Sequence, residues 1–282
     1  MAVDLHTHST ASDGSDRPSV LVDKALELGL TALALTDHDT LEGVEEARAA
    51  AAETDLELIP GTELSLDHRG AMHLVVLWLE PGPGPLQDRL TSIQHGRNVR
   101  NQAIVELLDG LGMPVSIEEV AEESGSGSVG RPHIAAVMMR KGYVQSVAEA
   151  FDLWLGAGRP AYAGRARLTP EEAIGLTLDS GAVPILAHPH TVGINRAEEM
   201  ADLLDRLRGA GLVGLEAACS GYRRHEREGY ADLARRFGLV ATGGSDYHGR
   251  YKPGLELGIG YGDLLVPETV LDRLRVYRRA VA

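Results

Sequence analysis

His6 and His8 stand one residue apart near the start of the chain, directly after the apolar run Ala2–Leu5 and just ahead of an Asp13-Gly14 pair. Groups of the same kind recur further on: His38 within Asp37-His38-Asp39, then Glu63, His73, His188 in His188-Pro189-His190, and Asp246 and His248 in Gly244-Ser245-Asp246-Tyr247-His248. Imidazole and carboxylate together suit manganese, iron or zinc, whereas magnesium and calcium draw mainly on oxygen. Residues two apart on an extended strand face the same side, so His6 with His8, and Asp246 with His248, each make half of a metal site. Taken singly, a histidine near a strand end is more often a hydrogen-bonded surface or core group, and an Asp-Gly pair is usually a turn. Nine such groups at six strand ends read differently. They are too many for one ion. They suit two or three ions a few Å apart, an arrangement that clamps the attacking and leaving oxygens of a phosphoryl displacement.

Seven short apolar segments must carry these groups: Ala2–Leu5, Thr31–Thr36, Leu56–Gly61, Met72–Leu79, Ala182–Ala187, Leu212–Ala217 and Leu239–Thr242. Their length and branched content predict buried strands. Helical patterns lie between most of them, at 18–29 behind Pro18, 41–52, 198–210 and 222–237. Alternating strand and helix predicts right-handed crossovers and a parallel sheet, and a barrel gathers chemistry at the ends of its strands. From about Pro81 to Arg167 the rhythm breaks into helical patterns at 86–111, 116–123, 132–141 and 146–155, two of them joined by the glycine- and serine-rich stretch Ser124–Gly130. The expected organisation is an α/β barrel domain formed by residues 1–80 and 168–282, with a helical insertion over 81–167 that caps the substrate site.

Composition narrows the partners. Lys and Arg number 27 against 41 Asp and Glu, a formal charge of −14, which argues against duplex nucleic acid as a ligand. A small anionic substrate remains open if positive charge is concentrated locally, and bound divalent metal would offset part of the acidity. Cys219 is the only cysteine, so neither a disulfide framework nor thiolate zinc ligation is available, and a cytoplasmic setting fits. No apolar run approaches the ~20 residues of a membrane span, and no obligate protein partner is evident.

In order, the segments "DLHTHSTASDG", "ALTDHD", "GTELS", "AMHLVVL", "ILAHP" and "GSDYH" resemble the PHP family of polymerase and histidinol phosphatase phosphoesterases, from Val3 to about Gly249. The resemblance implies a distorted (β/α)7 TIM-like barrel and two to three divalent ions, manganese before iron or zinc. His6, His8, Glu63 and Asp246 would hold one ion, and Glu63 would bridge to a second held by His73 and His188. Asp13, His38 and His248 would hold the third. A hydroxide bridging two cations would attack phosphorus, which makes His6, His8, Glu63, Asp246 and His188 the catalytic group. The helical insertion is similar to the subgroup that removes the 3'-phosphate of nucleoside 3',5'-bisphosphates and is implicated in trimming short single-stranded RNA from its 5' end. By that resemblance Arg100, Asn101, Arg131 and His133 would bind the substrate phosphates. Arg97 shares a helix face with Arg100 and Asn101, and Pro132 places Arg131 and His133 at a helix start, where free backbone donors attract phosphate.

Other chemistries use similar parts. A cyclic phosphodiesterase or a histidinol-phosphate phosphatase has similar ligands, but the Arg100/Arg131 pair favours a substrate with two phosphates. An amidohydrolase also carries an HxH pair after its first strand, and the third metal set and the arginines lower its weight. A noncatalytic nucleotide-binding metal module would have less reason to keep all nine ligands. His68, His95 and His225 read as surface groups, and His190 and Glu216 are ambiguous. Cys219 is not marked as a nucleophile, and Tyr247 should point away from the ligands flanking it.

Overall fold

The structure is a computed structural model that describes residues 2–124 and 129–281; the expected linker at 124–130 therefore falls largely outside the described residues. Its strands are β1 (Ala2–Asp4), β2 (Leu30–Leu35), β3 (Glu57–Ser65), β4 (His73–Leu77), β5 (Val183–Ala187), β6 (Gly214–Cys219) and β7 (Val240–Gly244), arranged in one sheet in chain order. The two edges approach each other beyond β1 and β7. The Asp246 N–H donates to the His6 carbonyl at 2.8 Å and the His8 N–H to the Tyr247 carbonyl at 3.0 Å. Gly244 makes this approach possible, because a Cβ there would sit 2.4 Å from that of His6. The result is a nearly closed seven-stranded barrel.

The expected all-parallel sheet is corrected at one strand. β4 pairs antiparallel with both β3 and β5, while the remaining pairs are parallel. Only residues 66–72 separate β3 from β4, too few for the crossover that a parallel pair requires. The reversal places the start of β4, rather than its end, beside the ends of the other strands.

Helices α1 (Pro18–Glu27) and α2 (Val44–Ala51) cover the first strands, where Leu21, Val22 and Val44 pack on Leu33 and Leu35. Between β4 and β5 come α3 (Pro85–Gly110), α4 (Ile117–Ser124), α5 (Arg131–Arg140) and α6 (Val147–Ala150), the last running into a π turn over Phe151–Leu155. Then come α7 (Pro170–Asp179), α8 (Ala197–Gly209), α9 (Arg224–Arg236) and α10 (Thr269–Val281). Neither α7 nor α10 is among the helical patterns read from the sequence. The signal for α7 is present: Thr169 Oγ1 accepts the Glu172 N–H at 3.3 Å while the Glu172 carboxylate accepts the Thr169 N–H at 2.9 Å, with Pro170 between them.

Alternating strand residues such as Ile59, Val75, Leu77 and Ile185 fill the barrel, and Leu271 and Leu274 of α10 pack against them. Ile104, Leu108, Ile134, Val137 and Leu155 form a separate core among the helices between β4 and β5. Helix α3 serves both, since its Leu86, Leu90 and Ile93 belong to the cluster around Leu64, Leu74 and Leu186. Between those two apolar stretches its buried face turns polar, at Arg97, Arg100 and Asn101. Among the described residues no helix is long and apolar enough to cross a membrane.

Candidate metal centre and phosphate pocket

Glu63 lies at the centre of the polar end of the barrel and is 1% exposed. It lies within β3, not after the strand as its spacing suggested, and alternation from Ile59 points it inward. Its Oε1 is 2.8 Å from His73 Nδ1 and 2.9 Å from His188 Nε2. Its Oε2 is 3.3 Å from His6 Nε2, and 3.2 Å from both His8 Nε2 and His38 Nδ1. One carboxylate thus faces five imidazoles. His73 reaches it because antiparallel β4 begins at this end of the barrel, in register with Ala187 of β5.

A second carboxylate organises the neighbouring group. Asp13 Oδ1 lies 3.4 Å from His248 Nε2 and 3.7 Å from His8 Nδ1, and its Oδ2 lies 3.7 Å from His38 Nε2. Gly14 permits the loop to fold this tightly, since a Cβ there would lie 2.2 Å from the His8 carbonyl oxygen. Asp246 divides its oxygens. Oδ1 faces His6, His8 and His248 at 3.7, 3.5 and 3.4 Å, and Oδ2 accepts from Lys252 Nζ at 2.5 Å. Asp39, His188 and Asp246 all have positive φ, at 55°, 22° and 54°, a conformation that non-glycine residues adopt where the surroundings over-determine it.

The donor atoms fall into three overlapping groups, His6/His8/Glu63, His38/Glu63/His73 and His8/Asp13/His38/His248. Glu63 joins the first two and His38 the last two, so His38 sits between Glu63 and Asp13 rather than with Asp13 alone. These residues fit divalent cations. His6 Nε2 and His8 Nε2 converge to 3.1 Å with both rings buried, and His8 Nδ1 is buried without a hydrogen-bond partner, as expected of lone pairs aimed at an ion.

Protonation follows the geometry. Against the upward push of burial, His38 and His248 hold Asp13 well below the usual carboxylate range, and His73, His38 and His6 do the same for Glu63. Burial, only partly opposed by Asp13 and Glu63, pulls His38 down to about 3. Burial acts downward on His8 as well, but hydrogen bonds to Asp246 and Glu63 raise it to about 9.

Beside this cluster opens a cavity of about 190 Å³, lined by Asp13, His38 and His73 and by Arg97, Arg100, Arg131, Arg165 and Arg167. Five guanidinium groups face one small space in a chain of net charge −14. Of the five residues expected to bind phosphate, Arg97, Arg100 and Arg131 line this cavity. Asn101 and His133 do not. Asn101 Nδ2 donates to the Val129 carbonyl at 2.9 Å and His133 Nδ1 accepts the Gly130 N–H at 3.1 Å, so both are engaged in fixing the turn into α5. Arg97 is already engaged, with Nε 2.6 Å from Asp39 Oδ2. Arg100 Nη2 is buried without a partner. Its pKa is pulled down to about 8 by burial and then by Arg97, Arg131 and Arg165.

A family model described as "PHP domain" matches residues 4–101. The 5'-3' exoribonuclease Rnm of Escherichia coli strain K12 is 33% identical over 90% of this chain and 87% of its own length. The chain belongs to the PHP family. The 3',5'-nucleoside bisphosphate phosphatase of Chromobacterium violaceum is 31% identical over 91% of this chain and 90% of that protein. Among solved structures, a candidate metal-dependent phosphoesterase from Bifidobacterium adolescentis superposes with a TM-score of 0.86 at 29% identity, covering 98% of this chain and 96% of that one. This PHP protein is a metal-dependent phosphoesterase, a hydrolase acting on phosphoric ester bonds, and its buried histidine and carboxylate clusters are able to bind the metal.

Several residues of the PHP site were not promoted by sequence reasoning. Glu216, left ambiguous there, accepts from His6 Nδ1 at 3.0 Å and from the His188 backbone N–H at 2.6 Å, and so orients the His6 ring and fixes the backbone that carries His188. Asp37 accepts from the Ser9 N–H, Ser9 Oγ and Ser12 Oγ at 2.6 to 2.8 Å, which braces the loop that carries Asp13. Asp37 was legible within the "TDHD" run. Arg165, Arg167 and Lys252 follow no strand and no helical pattern, so nothing local marked them. His95 and His225 are exposed. Tyr247 turns away to Asp16 and Lys24, each 2.7 Å from its hydroxyl. His190 is exposed, with Nδ1 3.0 Å from the Tyr222 hydroxyl.

Proposed function

We propose that this PHP enzyme removes the 3'-phosphate of a nucleoside 3',5'-bisphosphate and releases the 5'-monophosphate. The observation that carries the reading is a cavity lined both by residues of the candidate metal cluster and by arginines. Asp13, His38 and His73 of the histidine and carboxylate cluster line it together with five arginines, of which Arg100, Arg131 and Arg167 have no carboxylate partner among the described residues, so a substrate with two phosphates can present one to each set. The Chromobacterium relative, named for this activity, supports the same assignment.

In this reading His6, His8, Asp13, His38, Glu63, His73, His188, Asp246 and His248 hold two to three divalent ions, manganese first. The bound ions supply a water-derived nucleophile at neutral pH and charge neutralisation at the phosphoryl oxygens. The chain's own groups do the rest. Glu216 holds the His6 ring, leaving Nε2 free for the centre. Lys252 occupies one oxygen of Asp246 and leaves the other facing the histidines. Arg100 and Arg131 grip the phosphate that stays, and the helical insertion over 81–167 acts as the cap that brings them.

Short RNA with a 5'-phosphate presents the same pair of groups, one terminal and one at the first linkage, and the exoribonuclease relatives support it as a second substrate. The test is phosphate release from adenosine 3',5'-bisphosphate, compared with a cyclic phosphate, histidinol phosphate and 5'-phosphorylated or 5'-hydroxyl dinucleotides. Manganese-loaded enzyme should cleave the bisphosphate best and should prefer the 5'-phosphorylated dinucleotide. Efficient cleavage of another ester with the bisphosphate intact would overturn the substrate assignment.

A further inference from the structure

The five arginines of the cavity are not equivalent. Arg97 and Arg165 converge on one atom, Asp39 Oδ2, with Arg97 Nη2 at 2.5 Å, Arg97 Nε at 2.6 Å and Arg165 Nη2 at 2.6 Å. The others have no carboxylate partner among the described residues. Arg131 donates to the Leu155 carbonyl at 3.2 Å and lies over the Phe151 ring. Arg100 Nε donates to Asn101 Oδ1 at 3.0 Å, and Arg167 Nη1 reaches the Leu66 carbonyl only at 3.5 Å. Arg100 Nη2 and Arg167 Nε are buried and unpartnered, as is Nη1 of Arg165, whose Nη2 is the group that Asp39 takes.

Asp39 is itself anchored through its backbone and through Oδ2, while its Oδ1 is buried without a hydrogen-bond partner. It follows His38 directly, is fully buried, and has a left-handed backbone. Its N–H donates to the Glu63 carbonyl at 3.1 Å, and its own carbonyl accepts from Gln94 Nε2 at 3.2 Å. Through its backbone it is tied to the two residues at the heart of the metal centre. Through its side chain it is tied to α3 and to Arg165 on the chain returning from the insertion.

We propose that Asp39 is a positioning residue that sets the substrate's two phosphates at the correct separation. It holds the arginine wall in register with the histidine and carboxylate cluster. It also engages Arg97 and Arg165, leaving Arg100, Arg131 and Arg167 to receive the phosphate that is not cleaved. This rests on the reading above that the substrate carries two phosphates.

The experiment compares wild type, Asp39→Asn and Asp39→Glu on adenosine 3',5'-bisphosphate and on adenosine 3'-monophosphate, which lacks the remote phosphate. A parallel arm measures the affinity of metal-free protein for inorganic phosphate by calorimetry. Asp39→Asn should raise KM for the bisphosphate by about 30-fold, as expected for misaligned charge-assisted bonds, with kcat and the 3'-monophosphate reaction within about threefold of wild type. Phosphate affinity should fall about tenfold. Asp39→Glu keeps the charge but displaces the forks, so it should lose selectivity by about tenfold, and it serves if Asp39→Asn does not fold. An equal loss on both nucleotides would overturn the proposal, because Asp39 would then act on the reacting centre or on the fold. Unchanged selectivity, or tighter phosphate binding in Asp39→Asn, would also overturn it. If wild type turns over neither nucleotide, the bisphosphate reading fails by itself, and the calorimetric arm still decides whether Asp39 aligns the arginines.

Discussion

Replacing Arg100 with methionine should stabilise the metal-free protein while removing much of its hold on the substrate. Arg100 is 5% exposed, and its Nη2 has no hydrogen-bond partner. A buried donor left unmade costs about 1–3 kcal/mol, and methionine keeps the length of the side chain without that donor. Against this, Asn101 loses the bond from Arg100 Nε at 3.0 Å, worth about 1 kcal/mol. The balance is a gain near 1 kcal/mol, which for a chain of this size raises Tm by about 2–4 °C. The effect on substrate has the opposite sign. A charge-assisted bond from guanidinium to phosphate contributes about 1.5–3 kcal/mol, so KM for adenosine 3',5'-bisphosphate should rise by about 10- to 150-fold. Thermal melts of chelator-treated protein, with and without excess inorganic phosphate, check both parts. Phosphate should raise the Tm of wild type and leave Arg100→Met nearly unmoved. A variant that melts lower than wild type and still responds fully to phosphate would refute the view of Arg100 as an unpaired cation awaiting an anion.

Glu216→Gln should lower metal affinity and activity by about 10- to 100-fold, because the carboxylate orients the His6 ring and fixes the backbone that carries His188; His6→Ala should abolish turnover and lower the metal content measured by elemental analysis, and an intact metal content would refute its place in the centre. The metal-free protein should also have a distinctive pH profile. The pKa of His8 in the folded chain is raised from its ordinary 6.5 to about 9, so its stabilising contribution is complete below pH 6.5 and is lost as the pH rises through about 9. Asp13, Glu63 and Asp246 are held well below the usual carboxylate range, so their contribution persists through mildly acidic pH and is lost only in strong acid. Melts of chelator-treated protein from pH 5 to 9.5 should therefore decline at the alkaline end, and a Tm that climbed there would contradict the ion-paired histidines.

Most of the candidate metal centre was legible in one dimension. His6, His8, His38, His188, Asp246 and His248 follow buried apolar segments, and a barrel brings the ends of such segments together whatever lies between them. Tyr247 was legible for the same reason, since alternation turns it away from its neighbours. His73 and Glu63 were identified by residue type but not by geometry. A strand buried on both faces reads alike in either direction, so nothing local announced that β4 runs backward and that its first residue meets the site.

The phosphate wall was legible only in part. The polar interruption in α3 marks Arg97, Arg100 and Asn101, because a stretch of charge on an otherwise apolar helix face needs partners. Which of them keeps an unpaired buried group was decided by contacts distant in the chain. Asp39 takes Arg97, the turn at Val129 takes Asn101, and Arg165 and Arg167 enter from a segment with no periodicity of its own. By itself the sequence determined the donor atoms and the barrel that gathers them, since both follow from residue type and strand alternation. The tertiary structure decided which charges are already paired and which remain open to an anion, because ion pairing depends on distance in space between long side chains, and spacing along the chain does not encode it.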